Sequence, residues 1–109
     1  MKIEILYLEG CPYQKSALER VRQLLCEERI SADVLEINVT ESSAAQECGF
    51  LGSPSIRMNG LDVEPEARTA REYGLMCRTY LVNGRREGLP SYEMLRQALL
   101  AASVAPNRI

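Results

Sequence analysis

Apolar and polar residues alternate imperfectly from Lys2 to Leu8, in a run rich in Ile, Leu and Tyr. That pattern predicts a central strand with most of its side chains buried. From Pro12 to about Arg29 the spacing changes. Ala17, Leu18, Val21, Leu24 and Leu25 fall on one helical face, and Glu19, Arg20, Arg22, Glu27 and Glu28 are left for solvent. Cys26 lies beside this stripe and reads as a small residue packed at the core edge. After a break at Ser31-Ala32-Asp33, residues Val34, Leu35, Ile37 and Val39 give a second strand. A strand, this much helix and a second strand make a βαβ unit with parallel strands.

Several possible N-caps between Asn38 and Ser43 open a short helix through Glu47, which Gly49 can end. Ser55 to Met58 is a short strand followed by the tight-turn pair Asn59-Gly60. Pro54 stands just before that strand, where proline is tolerated. Two segments compete to be the fourth strand. Leu61-Asp62-Val63-Glu64 is placed to be the return arm of a hairpin. Cys77-Arg78-Thr79-Tyr80-Leu81-Val82 has the better strand propensity and its own Asn83-Gly84 turn. The second is preferred, which makes 61–76 an excursion with a short helix over 65–73 between Pro65 and Gly74. Pro90-Ser91 opens a last helix that buries Leu95, Ala98, Leu99 and Ala102, and residues 103–109 read as a frayed end. No repeat, low-complexity segment or linker interrupts the 109 residues, so one α/β domain is expected over 1–109.

Composition narrows the class. A formal net charge of −2 gives no reason to expect nucleic acid or anionic lipid as a partner. No apolar run approaches the roughly 18 residues of a membrane helix. The sequence starts directly with a strand pattern and lacks a basic, cleavable leader, so a cytoplasmic protein with reduced thiols is expected. Histidine is absent, which removes the usual general base and the usual zinc partner of cysteine. The four cysteines, Cys11, Cys26, Cys48 and Cys77, include no C-x-x-C pair.

Cys11 stands out among them. It follows Gly10 at the end of the first strand and precedes Pro12 at the mouth of the first helix. Helix N-termini carry partial positive charge and unpaired N–H groups, which favour a thiolate, the reactive form of cysteine. Pro12 suits a first helical turn because its missing N–H has no partner to lose. Tyr13 reads as an exposed rim residue, and Tyr7 and Tyr80 as core or sheet-surface residues.

Two stretches then carry a family resemblance. Gly10-Cys11-Pro12-Tyr13 resembles the start of a glutaredoxin active site. Gly52-Ser53-Pro54-Ser55-Ile56 resembles the loop that sets a cis-proline against the reactive sulfur. At this separation and on these elements, the chain resembles the thioredoxin superfamily, nearest to small glutaredoxin-like proteins, well over 2–60 and more loosely over 77–102. It is also similar to a small bacterial group with a further segment, here Gly74-Leu75-Met76-Cys77-Arg78-Thr79-Tyr80. Some of that group carry labels related to organomercurial lyase, although this chain lacks a match to that enzyme's own fold.

The resemblance implies a three-layer thioredoxin-like fold with a mixed sheet of about four strands and three main helices. It also implies a thiol–disulfide oxidoreductase. Cys11 is then the nucleophile, with Pro12, Tyr13 and Gln14 completing its loop. Ser53, Pro54 and Ser55 bind substrate, and the backbone beside a cis Pro54 is free to pair with an extended chain. The dithiol members of the family carry a second cysteine where this chain has Gln14, so no disulfide can close inside the motif. The Gln14 amide is instead expected to donate toward the Cys11 sulfur. Two routes follow. In the preferred monothiol route Cys11 forms a mixed disulfide with a small thiol such as glutathione, or with a protein, and an outside thiol resolves it. In the other, Cys77 or Cys48 resolves it. No cofactor is called for.

A different class also fits the composition: Cys11 with Cys77, and Cys48 as a further ligand, holding a soft ion such as Hg(II), Cu(I) or As(III). A thioredoxin-like adaptor without chemistry is the third. Nothing in the sequence sets the oligomeric state.

Overall fold

The computed structural model describes residues 1–104. Strand β1 (Lys2–Tyr7) leads to helix α1 (Gln14–Glu28), strand β2 (Asp33–Asn38), helix α2 (Ser42–Cys48), and strands β3 (Ser55–Met58) and β4 (Leu61–Asp62). A 3₁₀ turn (Pro65–Thr69), a ribbon of β5 (Tyr80–Val82) and β6 (Arg85–Glu87), and helix α3 (Tyr92–Val104) complete the order. The sheet runs β2-β1-β3-β4, with β1 and β2 parallel and the other pairs antiparallel. Among the described residues the fold is therefore mixed α/β, with three α-helices and a four-stranded mixed sheet, and the expected βαβ unit is present.

Successive side chains of a strand point to opposite faces, and β1 uses both. Ile3 and Ile5 join Ala17, Val21 and Leu24 of α1 and Leu95, Ala98 and Leu99 of α3 in the larger core. Leu6 turns the other way, to Val39, Ala45 of α2 and Phe50. Helices thus cover both faces at β1, the strand on which the sheet is centred. Ser91 caps α3 by accepting the Met94 N–H at 3.0 Å. Gly49 closes α2 in the left-handed region at φ +69°.

The fourth strand is the hairpin arm Leu61–Asp62 and not the more strand-like run at 77–82. Asn59 and Gly60 adopt φ +51° and +86°, a turn that sends the chain straight back along β3. Locality thereby outweighs propensity. Asn83 and Gly84, at φ +51° and +80°, do the same for Tyr80–Val82, which pairs only with Arg85–Glu87 in a separate ribbon. The expected helix over 65–73 is the shorter 3₁₀ turn Pro65–Thr69, after which 70–79 contains no helix or ladder strand. Cys26, expected at the core edge, is exposed on α1. Of the end expected to fray, Ser103 and Val104 belong to α3, and 105–109 lie outside the described residues.

The irregular stretch is fastened by one side chain. Arg78, on average among the residue types least often buried, is 6% exposed. Its guanidinium donates to the two carboxylate oxygens of Asp62 at 2.6 and 2.7 Å, to Glu64 at 3.4 Å and to Ser55 Oγ at 3.2 Å. It also lies over the Tyr80 ring, 4.2 Å from its centroid. Burial opposes the Arg78 charge, but the bonds and charges of its neighbours, Asp62 first, more than restore it.

Two stability predictions follow from this centre. Removing one partner of a buried ion pair leaves an uncompensated charge and costs about 3–5 kcal/mol, whereas an exposed cluster is worth about 1 kcal/mol or less. Urea unfolding of Arg78→Ala should show the first effect. Arg96→Ala, which breaks the partly solvent-accessible contacts of Arg96 with Glu27, Glu28 and Glu93, should show an effect close to the second. Similar losses in the two variants would contradict this hierarchy. The second prediction concerns Tyr80, whose burial pushes its phenol well above the ordinary value of 10.0, with the Arg78 cation opposing. Folded chains then hold a proton that unfolded chains release above about pH 10, so stability is full below that value and falls as pH rises above it. Tyr80→Phe should flatten this alkaline decline in denaturation midpoints; an unchanged slope would refute the assignment.

Candidate functional site

Gly10, at φ +84°, turns the chain after β1. The Cys11 N–H donates back to the Leu8 carbonyl at 3.1 Å, and the Cys11 carbonyl accepts from the Gln14 N–H at 3.4 Å. Two consecutive turns therefore precede α1, whose N-cap is Tyr13 and whose first residue is Gln14. Pro12 sits in these turns and not in the first helical turn as expected. Cys11 is half-buried, and Pro12 and Tyr13 are exposed. The first turn of α1 contains no acidic residue, and it contains Lys15. One carboxylate does reach this end: the Gln14 amide donates to Glu36 of β2 at 2.9 Å. The expected donation from that amide to the Cys11 sulfur is thus replaced by a bond to the neighbouring strand.

The second half of the site arrives on β3. Leu6 is opposite Ser55 in the antiparallel β1–β3 register, and beyond that pair the Leu8 N–H donates to Ser53 Oγ at 2.9 Å. The end of β1 that carries the Cys11 turn is therefore the end at which the Ser53-Pro54 loop enters β3. The Ser53–Pro54 peptide bond is cis. Ser53, Pro54 and Ser55 are all buried. Their loop is braced from the 74–80 segment, where Tyr80 Oη donates to the Pro54 carbonyl at 2.6 Å and Arg78 to Ser55 Oγ, which in turn donates to the Gly52 carbonyl at 2.6 Å.

That segment also takes the backbone groups expected to be free for substrate. The Ser53 N–H donates to the Met76 carbonyl at 2.8 Å, and the Arg78 N–H donates to the Ser53 carbonyl at 3.0 Å. Cys77 consequently lies opposite Ser53 in a parallel bridge. Cys77 is exposed, and like Cys11, Cys26 and Cys48 it is unpaired. Cys48 is drawn elsewhere, packed against the Leu6, Val39, Ala45 and Phe50 cluster with its Sγ 3.9 Å from the Ala45 carbonyl. Among the described residues no three Cys, Asp, Glu or His side chains converge as metal ligands, so Cys11, Cys48 and Cys77 do not form a three-thiolate site.

A groove of about 440 Å³ opens beside Tyr13 and is lined by Arg20, Glu87, Gly88 and Tyr92 among others. The Tyr13 ring lies directly over Gly88, where a Cβ would have to displace it. Sequence reasoning placed Cys11, Tyr13, Ser53, Pro54, Ser55 and Cys77 at or near this end of the sheet. It missed Asp62, Glu64 and the bracing roles of Arg78 and Tyr80. The available signal was a pair of acids two apart on the return arm, facing a single arginine in the Cys77-Arg78-Thr79-Tyr80 run.

Comparison with family models, curated proteins and solved structures finds no match to this chain. No helix among the described residues is long and apolar enough to cross a membrane.

Exposure and reactivity make opposite forecasts here, which allows a clean test. Cys26 and Cys77 are more exposed than Cys11. Brief treatment with neutral iodoacetamide at pH 7, read by peptide mass mapping, should nonetheless label Cys11 first. Labelling in the order of exposure, with Cys26 ahead, would remove Cys11 from the site.

Proposed function

We propose that the chain is a thioredoxin-like thiol–disulfide oxidoreductase with Cys11 as its nucleophile and a small thiol, such as glutathione, as its partner. The observation that carries this reading is the junction of the Cys11 turn with the Ser53-Pro54 loop, through Leu8, at one end of the sheet. A strand-end thiol in the turns that lead into a helix, joined to a buried loop, is an arrangement suited to nucleophilic sulfur chemistry. The three α-helices and four-stranded mixed sheet of the described residues are compatible with a thioredoxin-like domain, the family that the two sequence stretches resemble.

In the monothiol route the Cys11 thiolate attacks one sulfur of a small disulfide. A bond forms between Cys11 Sγ and that sulfur, and the other sulfur leaves as a thiolate that takes up a proton. A second small thiolate then attacks the outer sulfur of the mixed disulfide and releases Cys11. Gln14, held by Glu36, offers no competing nucleophile. Because reduced thiols are its working state, the protein belongs in a reducing compartment such as the cytoplasm.

A second reading is favoured by the Ser53–Cys77 bridge, which fastens Cys77 to the loop that adjoins Leu8. Here Cys77 attacks Cys11 in the mixed disulfide, displaces the small thiol and closes an internal disulfide. The same two thiolates are the remaining form of the soft-metal alternative, with two-coordinate Hg(II) as its simplest cargo.

Glutathione-coupled reduction of bis(2-hydroxyethyl) disulfide separates these readings. Cys11→Ser should lose at least about a hundredfold in kcat/KM, and a Cys48→Ser/Cys77→Ser double variant should stay within about threefold of the parent. A double variant as inactive as Cys11→Ser would replace the monothiol route with an internal resolving thiol, and that thiol is Cys77 if Cys77→Ser alone is equally inactive while Cys48→Ser is not. An active Cys11→Ser protein would sink both. Stoichiometric Hg(II) uptake by a protein with no turnover would point to the binder.

A further inference from the structure

A partner chain adds to a sheet by pairing with a row of N–H and C=O groups left open at an edge. At this end of the sheet that edge belongs to Ser53. On one side β3 is covered by β1, and Leu8 reaches Ser53 from that side. On the other side β4 covers Arg57 and Met58, and the Val63 N–H donates to the Ile56 carbonyl, but β4 extends no further toward the site. The next group along the edge, the Pro54 carbonyl, accepts from Tyr80 Oη, and beyond it the N–H and C=O of Ser53 are both taken, by Met76 and Arg78.

A single bridge is a weak ladder, so its persistence has to come from elsewhere. Arg78 supplies it. Its buried guanidinium is tied to Asp62, Glu64 and Ser55. Its backbone is pressed against Gly52, which sits at φ +111° and where a Cβ would come within 2.9 Å of Arg78 Cβ. The side chains next to the anchor behave oppositely: Leu75 and Met76 remain 43% and 38% exposed. The segment is thus held by its backbone and one charge, not by burial of its apolar groups. Cys11 stays half-open beyond it, next to the exposed Pro12 and Tyr13.

We infer that segment 75–78 is an internal occupant of the edge beside the Ser53-Pro54 loop, anchored by Arg78, and that it makes Cys11 selective for small disulfides and thiols over extended polypeptides. The selectivity rests on the thiol–disulfide reading of Cys11; the occupancy does not. Arg78 is here a positioning residue and touches no substrate. Strand addition by a polypeptide requires the Met76 and Arg78 backbone bonds to open first, whereas a small disulfide needs only the sulfur of Cys11.

Two measurements on the full chain test this. The first compares kcat/KM for bis(2-hydroxyethyl) disulfide with that for an extended peptide whose cysteine carries a glutathione mixed disulfide. The parent should favour the small disulfide by at least about tenfold. Asp62→Asn, which keeps the shape and weakens the anchor, should shrink that ratio at least about fivefold by gaining on the peptide, with the small disulfide within about twofold. Equal rates in the parent, or no gain by Asp62→Asn, would overturn the selectivity. The second is amide hydrogen exchange in a Cys11→Ser background, which needs no sulfur chemistry. Ser53 and Arg78 should exchange slowly, and at least about tenfold faster once Asp62→Asn is added, with the Ile5 amide unchanged as a marker of an intact fold. Fast exchange at Ser53 without Asp62→Asn would overturn the occupancy. If neither substrate turns over while both amides stay protected, the Cys11 reading fails and the internal occupant stands.

Discussion

The buried guanidinium of Arg78 sets the terms for half of this molecule. A charge taken out of water is tolerated only when its donors are matched, and the matching groups come from separate places. Asp62 comes from the hairpin arm, Glu64 from the chain just beyond it, Ser55 from the start of β3, and the Tyr80 ring from the ribbon. Satisfying one side chain therefore fixes where four segments meet. No buried side-chain nitrogen or oxygen among the described residues is left without a partner, so this polar centre is complete. That explains how a stretch with no helix or ladder strand between 70 and 79 can run in a definite path.

The same centre shapes the candidate site at one remove. Cys11 is positioned by β1 and by two turns that start at Leu8 and Cys11, a local arrangement that owes nothing to Arg78. The Ser53-Pro54 loop is different. It is held from β1 by Leu8, from below by Tyr80, and along its open edge by Met76 and Arg78. A loop held this firmly and joined through Leu8 to a locally determined cysteine turn suits the proposed sulfur chemistry, which needs its geometry set before substrate arrives. The internal segment adds a cost for any partner that must pair its backbone there.

Much of this was legible in the sequence, and the reasons differ by element. β1, α1, β2 and α3 were readable from their apolar periods, with Pro90-Ser91 marking the start of α3, and α2 from the cap candidates before it and Gly49 after it. The Asn59-Gly60 turn was read correctly, yet its consequence was discounted in favour of the higher strand propensity of 77–82. Pairing adjacent to a tight turn costs little loop entropy, and that decided the matter. Gln14 and Cys26 show another limit. Their helix was right, but the bond of Gln14 to Glu36 depends on the β1–β2 register, and the exposure of Cys26 on an angle of packing that spacing alone does not set. Asp62, Glu64 and Arg78 leave only a faint signal as a group, because a charged residue in an irregular stretch is ordinarily solvated. Only the fold-back of the chain brings the three together.

The account is tested most directly by asking whether Arg78 and Asp62 act as one unit. A double-mutant cycle with Asp62→Asn, Arg78→Met and the pair, read by urea unfolding, isolates their coupling from the cost of each change alone. A coupling of about 2–3 kcal/mol, with the double variant little worse than the poorer single variant, is the result this structure predicts. Additive losses with a coupling below about 0.5 kcal/mol would mean that the two side chains do not meet. The path of 61–80, and with it the bracing of the Pro54 loop, would then be wrong.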